Sequence, residues 1–404
     1  MRLLYSYRTV LKNFTYLSIL NGLNILLPLL IMPYLTRTVG ASNFGDYLFV
    51  LVLAQNINNI TSYGYNFSAT KKISQNRDNK AFVNKIYNAV IAGRFLIATI
   101  LIGLIYLLSP IIFKNQAQLY LFITAIGMLL GDVFIPAFLF LGMERMKYIT
   151  FANAFAKILF TVLVLLIITE EEDYLYILLI NSLGYIIAAI ISQVLVCKEF
   201  GIHLQKSSVN DIKTELREGL TLFSTTMSMT LYRNLNVLIL NYFVSSAAVA
   251  VYGVAEKVIK ACQSMVNPLS QALYPHLSYQ FGQADIRSNI LKLKKISLTI
   301  GAGLLCFVIV LFLCTPLIPL VFGDEFNEAV FITNMMLPVL FFGCMNYILG
   351  FAGLVNMNQQ KFFLCAAVIS GTLSLFVIIV GAGRLDIRAA AIAMNLSEIR
   401  SEEN

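Results

Sequence analysis

Seven ionisable side chains stand inside stretches that are otherwise apolar: Arg94, Lys157, Arg233, Lys257 and Lys260 are basic, Asp132 and Glu256 acidic. Two kinds of chemistry follow. Cations outnumber carboxylates, so Lys157, Arg233, Lys257 and Lys260 are candidates to hold an anionic substrate in a cationic cavity. A carboxylate among cations can instead take up a proton or a sodium ion, which makes Glu256 and Asp132 candidates for ion coupling, with simple charge balance as the plainer role. Glu256 precedes Lys260 by four residues, the spacing of a helical ion pair.

A second pattern is uncharged. Gln55, Asn59, Ser62 and Asn66 follow one another at spacings of four, three and four, which is one face of a helix. A constant offset of 205 residues carries them onto Lys260, Ser264, Asn267 and Gln271. Two helices lining one aqueous cavity would carry such matching faces, and interhelical hydrogen bonding is the alternative. Metal and redox chemistry find no support. His203 and His276 stand alone, and Cys197, Cys262, Cys306, Cys314, Cys344 and Cys365 form no CxxC pair, so small apolar filler is their expected role. No catalytic constellation and no cofactor are expected.

The elements that position these residues are long and apolar. Hydrophobic residues make up 58% of the chain and charged ones 12%. The mean hydropathy is +0.78. A helix crosses ~30 Å of hydrocarbon with about 20 apolar residues. Such runs occupy 13–36, 44–70, 86–109, 117–142, 148–169, 173–197, 219–244, 246–276, 292–322, 328–354 and 361–383, with a shorter one at 387–397. The chain therefore reads as an all-α polytopic membrane protein. The first run follows a polar, basic start and is too long for a cleaved signal peptide, so it stays as the first helix. Arg94 lies near the end of its run and is expected to snorkel to the surface. Arg233 and Lys257 are expected at similar depth, near the midplane.

Orientation follows from Lys and Arg, which accumulate on the cytoplasmic side. With the N-terminus inside, that side holds twenty of them: Arg2, Arg8 and Lys12, then the loop from Lys71 to Lys85, Arg145 and Lys147, Lys198 to Arg217, Arg287 to Lys295, Lys361 and Arg400. The other side holds four, Arg37, Lys114, Arg384 and Arg388, with the acidic clusters at 170–173 and 324–328. The net charge of +8 is thus a topology signal, and nucleic acid is excluded as a partner.

The offset of 205 also brings Val39 onto Val244 and Tyr47 onto Tyr252, and Leu108-Ser109-Pro110 resembles Cys314-Thr315-Pro316. Six helices per repeat is an even number, so the repeats are parallel, as in transporters with a site between two bundles. The expected architecture is two six-helix bundles around a central cavity: 1–200, a cytoplasmic linker at 201–218, and 219–404.

Pro33-Tyr34-Leu35-Thr36-Arg37-Thr38-Val39-Gly40 with Phe44-Gly45-Asp46-Tyr47, and Tyr63-Gly64-Tyr65-Asn66-Phe67-Ser68-Ala69-Thr70-Lys71-Lys72-Ile73-Ser74, resemble the Wzx-type polysaccharide flippases of the multidrug/oligosaccharidyl-lipid/polysaccharide exporter superfamily. The specific motifs lie in the first fifth of the chain; helix order extends the resemblance over nearly all of it. It implies two six-helix bundles in a bacterial inner membrane and flipping of an undecaprenyl-pyrophosphate-linked oligosaccharide for O-antigen, capsule or exopolysaccharide. It also implies a polysaccharide polymerase and a chain-length regulator as partners. Lys157, Arg233, Lys257 and Lys260 are this chain's candidates for the cationic cavity by position. One departure is the twelfth helix: only Ala389–Leu396 is apolar after Arg388, so it reads as short or truncated. A lipid II flippase is the closest rival. A multidrug cation antiporter would want an acidic cavity, and a glycosyltransferase or polymerase a large outer loop.

Overall fold

The computed structural model describes the backbone of residues 2–281, 286–346 and 360–399, with side chains placed except at 2–14, 17, 221–222, 224–234, 265–281, 286–293, 295–296, 360–368 and 399. Among these residues every regular element is helical. In chain order they are α1 (Arg2–Ser62), α2 (Tyr65–Gln75), α3 (Lys80–Leu107), α4 (Ser109–Ile112), α5 (Gln116–Val133), α6 (Ala137–Gly142), α7 (Met146–Ile167) and α8 (Ile177–Leu195). There follow α9 (Val209–Phe243), α10 (Ser246–Phe281), α11 (Ile286–Cys314), α12 (Leu317–Phe322), α13 (Asn327–Asn346), α14 (Gln360–Leu385) and α15 (Ile387–Ile399). Seven helical spans of the described residues are long and apolar enough to cross a membrane. The chain is an all-α, membrane-spanning protein.

Backbone chemistry sets where the helices stop. An unbroken α1 of 61 residues would be ~90 Å long, three times the hydrocarbon thickness. Gly40 interrupts it with φ 75° and ψ 164°, a conformation that a side chain would oppose. Tyr63 (φ 45°) and Gly64 (φ 71°) are both left-handed and separate α1 from α2. Pro110 in the first turn of α4 and Pro316 before α12 start short helices directly after the third and eleventh elements. The order long helix, short helix, long helix is therefore the same in α3–α4–α5 and α11–α12–α13, as the repeat requires. Pro136 separates α5 from α6.

Two compact units emerge: Met1–Ile31 with Phe49–Ser228, and Met32–Leu48 with Met229–Asn404. In the first, α8 packs against both α5 and α7 through small residues. A Cβ on Gly131 would lie 2.8 Å from the Tyr185 carbonyl carbon, and one on Gly184 2.9 Å from the Ala156 oxygen. Such contacts let helices approach where lipid provides no hydrophobic drive. Tyr65, Tyr87, Phe138, Phe140, Tyr148 and Phe200 fill the core at one end of this unit. The 201–218 stretch is held there too. Lys72 Nζ lies 2.7 Å from Glu215 and 2.5 Å from Glu218, and Lys85 Nζ 2.9 Å from Asp211. Gln205 N donates to Asn88 Oδ1 at 2.7 Å.

The second unit includes 32–48 of the first long helix. Thr36 Oγ1 donates to the Phe322 carbonyl at 2.8 Å, and Arg37 donates to the carbonyls of Val321 and Leu320 at the end of α12. Beyond the Gly40 break, the Ala41 N–H donates to Glu325 Oε2 at 2.7 Å, so a carboxylate caps the new helix start. A Cβ on Gly45 would meet the Ser246 carbonyl oxygen at 1.8 Å, so only glycine permits this approach of α1 to the start of α10. Ser246 Oγ donates to Asp46 Oδ1 at 2.5 Å. The last helix, α15, runs through 387–399 and takes in sequence read as a polar tail. Ala389, Ala390, Ala391 and Ala393 bury its face, and Glu398 is buried with Asn346 Nδ2 donating to its Oε2 at 3.0 Å.

Candidate functional site

The expected cationic residues fall on several elements, and the structure joins some of them. On α10, Lys260 Nζ lies 2.9 Å from Glu256 Oε1, the pair that the i,i+4 spacing predicts. Glu256 is buried, and Lys257 beside it is half-buried within electrostatic reach of both Glu256 and Lys260. Ser264, one turn on, is half-buried and returns its hydroxyl to the Ala261 carbonyl at 2.6 Å. A short polar segment of one helix thus carries two cations and one carboxylate. Lys157 is half-buried on α7. Arg233, Asn267 and Gln271 lie on α9 and α10 at positions whose side chains fall outside the described residues.

The uncharged stripe keeps its residues at the surface of its own helices. Gln55, Asn59 and Asn66 are exposed, and Ser62 is half-buried with its hydroxyl on the Asn58 carbonyl at 2.9 Å. The geometry of the stripe corrects the expectation of one continuous face. The left-handed Tyr63 and Gly64 fall between Ser62 and Asn66, so Asn66 belongs to α2 and its direction is set by the break. The ring of Tyr63 stacks on Phe223 at 4.4 Å, which holds that break.

Arg94 corrects a second expectation. Its side chain turns inward rather than snorkelling. Nη2 lies 2.7 Å from Asp132 Oδ2, and Nη1 donates to the carbonyls of Val133 at 3.2 Å and Ile135 at 3.1 Å. The Val133 carbonyl is freed where α5 ends before Pro136, while the Ile135 carbonyl also accepts from the Ala137 N–H at 3.0 Å. The Phe134 carbonyl between them accepts from Gln193 Nε2 at 2.7 Å, and Gln193 Oε1 accepts from Tyr87 Oη at 2.6 Å. Inside a membrane a broken helix persists only when its carbonyls find partners, and Arg94 and Gln193 supply them together with the Ala137 N–H. Sequence reading missed Gln193, because nothing near it announces a helix break on a different segment. Pro136, three residues past the end of α5, was the available signal.

The described residues hold no group of three or more His, Cys, Asp or Glu able to bind a metal. Outside the membrane spans, Arg77 donates to Glu144 at 2.8 Å, and this hydrogen bond holds the Glu144 carboxyl below its usual range.

The described residues thus form a helical membrane protein with a broken helix and charged residues within its spans. Residues 10–281 match the model of the polysaccharide biosynthesis protein family, and the chain belongs to that family. It is 28% identical, over 372 residues, to a protein of Escherichia coli (strain K12) that is an O-antigen transporter by name; the match covers 91% of this chain and 88% of the relative. A protein of the same name from Shigella dysenteriae is 29% identical over 269 residues, 66% of this chain and 67% of the relative. Among solved structures, the lipid II flippase MurJ in an inward closed conformation is similar, with a TM-score of 0.75 at 14% identity, covering 97% of this chain and 86% of MurJ. An inward-facing multidrug resistance MATE family transporter of the MOP superfamily gives 0.72 at 12% identity, covering 96% and 92%. These two likenesses establish the fold.

Proposed function

We propose that the chain is an inner-membrane flippase that carries an undecaprenyl-pyrophosphate-linked oligosaccharide across the bilayer by alternating access. In this reading the N-terminus and the 71–85 loop face the cytoplasm. The observation that supports it most is similarity to transporters sustained along 91% of the chain. The bodies that alternate follow the halves 1–200 and 219–404, with 32–48 travelling with the second body and 201–228 with the first. Lys257, Lys260, Lys157 and Arg233 attract the pyrophosphate, and Gln55, Asn59, Ser62, Asn66, Ser264, Asn267 and Gln271 offer hydrogen bonds to sugar hydroxyls. The lipid tail stays in the bilayer. A polymerase and a chain-length regulator receive the product.

Lys257 supplies the test. A cation held where water is scarce binds an anion by a charged hydrogen bond, and its loss costs about 1.5–3 kcal/mol. Lys257→Ala should abolish surface polysaccharide in a strain lacking its own flippase, while the protein reaches the membrane at normal abundance. Normal polymer would remove Lys257 from the site. Rescue of a lipid II flippase mutant in place of the polysaccharide mutant would transfer the reading to the rival substrate. Topology is checked separately: an impermeant thiol reagent on intact spheroplasts should label a cysteine at 172 and spare one at 77.

A further inference from the structure

Among the polar atoms of the first unit that are buried without a hydrogen-bond partner are Glu215 Oε2, Tyr65 Oη and Arg94 Nε. Their residues, from α9, α2 and α3, are 6%, 1% and 5% exposed. Their residues lie close together in the fold. Tyr65 Oη would stand 2.9 Å from a Cβ on Gly93, and Ile212, one turn before Glu215, would touch the same Cβ at 3.8 Å. Tyr65 is within electrostatic reach of Glu215, Tyr63 and Arg94. A folded interior leaves few such atoms unpaired, and three in one place mark a site for ordered water. Their chemistry is complementary for that ligand: a carboxylate oxygen accepts, a phenol donates and accepts, and a guanidinium N–H donates.

This buried middle has two open ends. At one, Glu215 meets Lys72 and Glu218, whose side chain is 49% exposed. At the other, Arg94 meets Asp132, whose side chain is 25% exposed, with Tyr185 of α8 facing it. Arg94 binds Asp132 through Oδ2, so Oδ1 is left to take a proton. The guanidinium would keep the Val133 and Ile135 carbonyls when it did so.

We propose that the first unit contains a hydrated proton path, from Glu218 and Glu215 through Tyr65 Oη and the edge of Arg94 to Asp132, whose carboxylate is the proton acceptor. A hydronium at the Glu215 end gives its proton to the chain of waters. Tyr65 Oη accepts one proton on a lone pair and releases its own to the next water. Asp132 Oδ1 forms the final O–H bond, the carboxylate becomes a neutral acid, and the charge of the unit rises by one. The charged and titratable groups around the path are Lys72, Tyr63 and Tyr65 on α2, Arg94 on α3, Tyr185 on α8, and Glu215 with Glu218 on α9. Only the assignment of the Glu218 end to the cytoplasm rests on the proposed function.

Infrared difference spectroscopy of the purified full chain tests this without any transport step, so a failure here is distinct from a failure of flipping. Acidification should raise a protonated-carboxyl band that Asp132→Asn removes. Tyr65→Phe loses one oxygen and keeps the ring, so the fold is preserved. It should slow hydrogen–deuterium exchange of that band by about tenfold or more, in the range by which positioned acid–base groups act. Glu215→Gln is the second variant and should slow it as well. Absence of an Asp132 band across the accessible acid range, or exchange as fast in both variants as in the unaltered chain, overturns the path.

Discussion

Two intramembrane ion pairs among the described residues are built on opposite plans. Glu256 and Lys260 sit one turn apart on α10, and their contact needs nothing but that helix. Arg94 and Asp132 come from different helices, and the same guanidinium holds two carbonyls at the end of α5. The first pair is local, closed within one turn of a single helix. The second is a staple, in which a charge is kept inside the membrane because the backbone around it is incomplete without it. Position along a membrane run therefore says little about a charge's role; the backbone geometry opposite decides it.

The largest test of this contrast is Arg94→Ala. It would strand the Asp132 carboxylate and the Val133 carbonyl, and breaking one side of a buried pair costs about 3–5 kcal/mol. Membrane abundance and the thermal midpoint should both collapse, with Arg94→Lys intermediate because an ammonium does not fork to two acceptors. An Arg94→Ala protein as abundant and stable as the unaltered chain would erase the distinction between the pairs. Next in size is Glu256→Gln. Glu256 is buried, so its loss leaves Lys257 and Lys260 less compensated and abundance should fall, though less than in Arg94→Ala because no backbone carbonyl loses a partner. In proteoliposomes carrying a fluorescent lipid-linked sugar, its response to a pH gradient should persist, whereas Asp132→Asn should eliminate the response. The reverse result would move coupling from the staple to the local pair.

The smallest effect is expected from a pair outside the membrane. Arg77 and Glu144 are solvent-accessible, and such a pair is worth about 0–1 kcal/mol after screening. Because the folded Glu144 carboxyl lies below its ordinary value, its contribution is complete above that value. It fades as pH falls through the lowered one. Thermal midpoints of Glu144→Gln and the unaltered chain should converge at acid pH and differ slightly at neutral pH. Equal separation at both would mean the pair contributes nothing through charge.

Apolar runs and the order of helices were legible because bilayer thickness imposes a length on every crossing. The Glu256–Lys260 pair was legible because a single helix fixes its geometry. Arg94 was misread because snorkelling and stapling look alike along one segment, and the freed carbonyls that separate them lie about forty residues away. Glu398 was placed in a tail, since it stands among Ser397, Ile399 and Arg400 near the end of the chain. Its burial depends on Asn346, fifty-two positions earlier. The inclusion of 32–48 in the second unit was equally hidden, because its partners are backbone carbonyls, which leave no trace in residue type.

That inclusion has a consequence in time. Ala41 and the Glu325 carboxylate that caps it are 284 positions apart. A ribosome adding about 5–20 residues per second takes roughly a quarter of a minute to a minute to travel between them. Throughout that interval the Gly40 bend has been synthesised but its cap has not, and Thr36 and Arg37 have no α12 to bind. The opening helix of the chain is among the last to be finished. Its bend must be carried, unsatisfied, through the insertion of most of the helices that follow it.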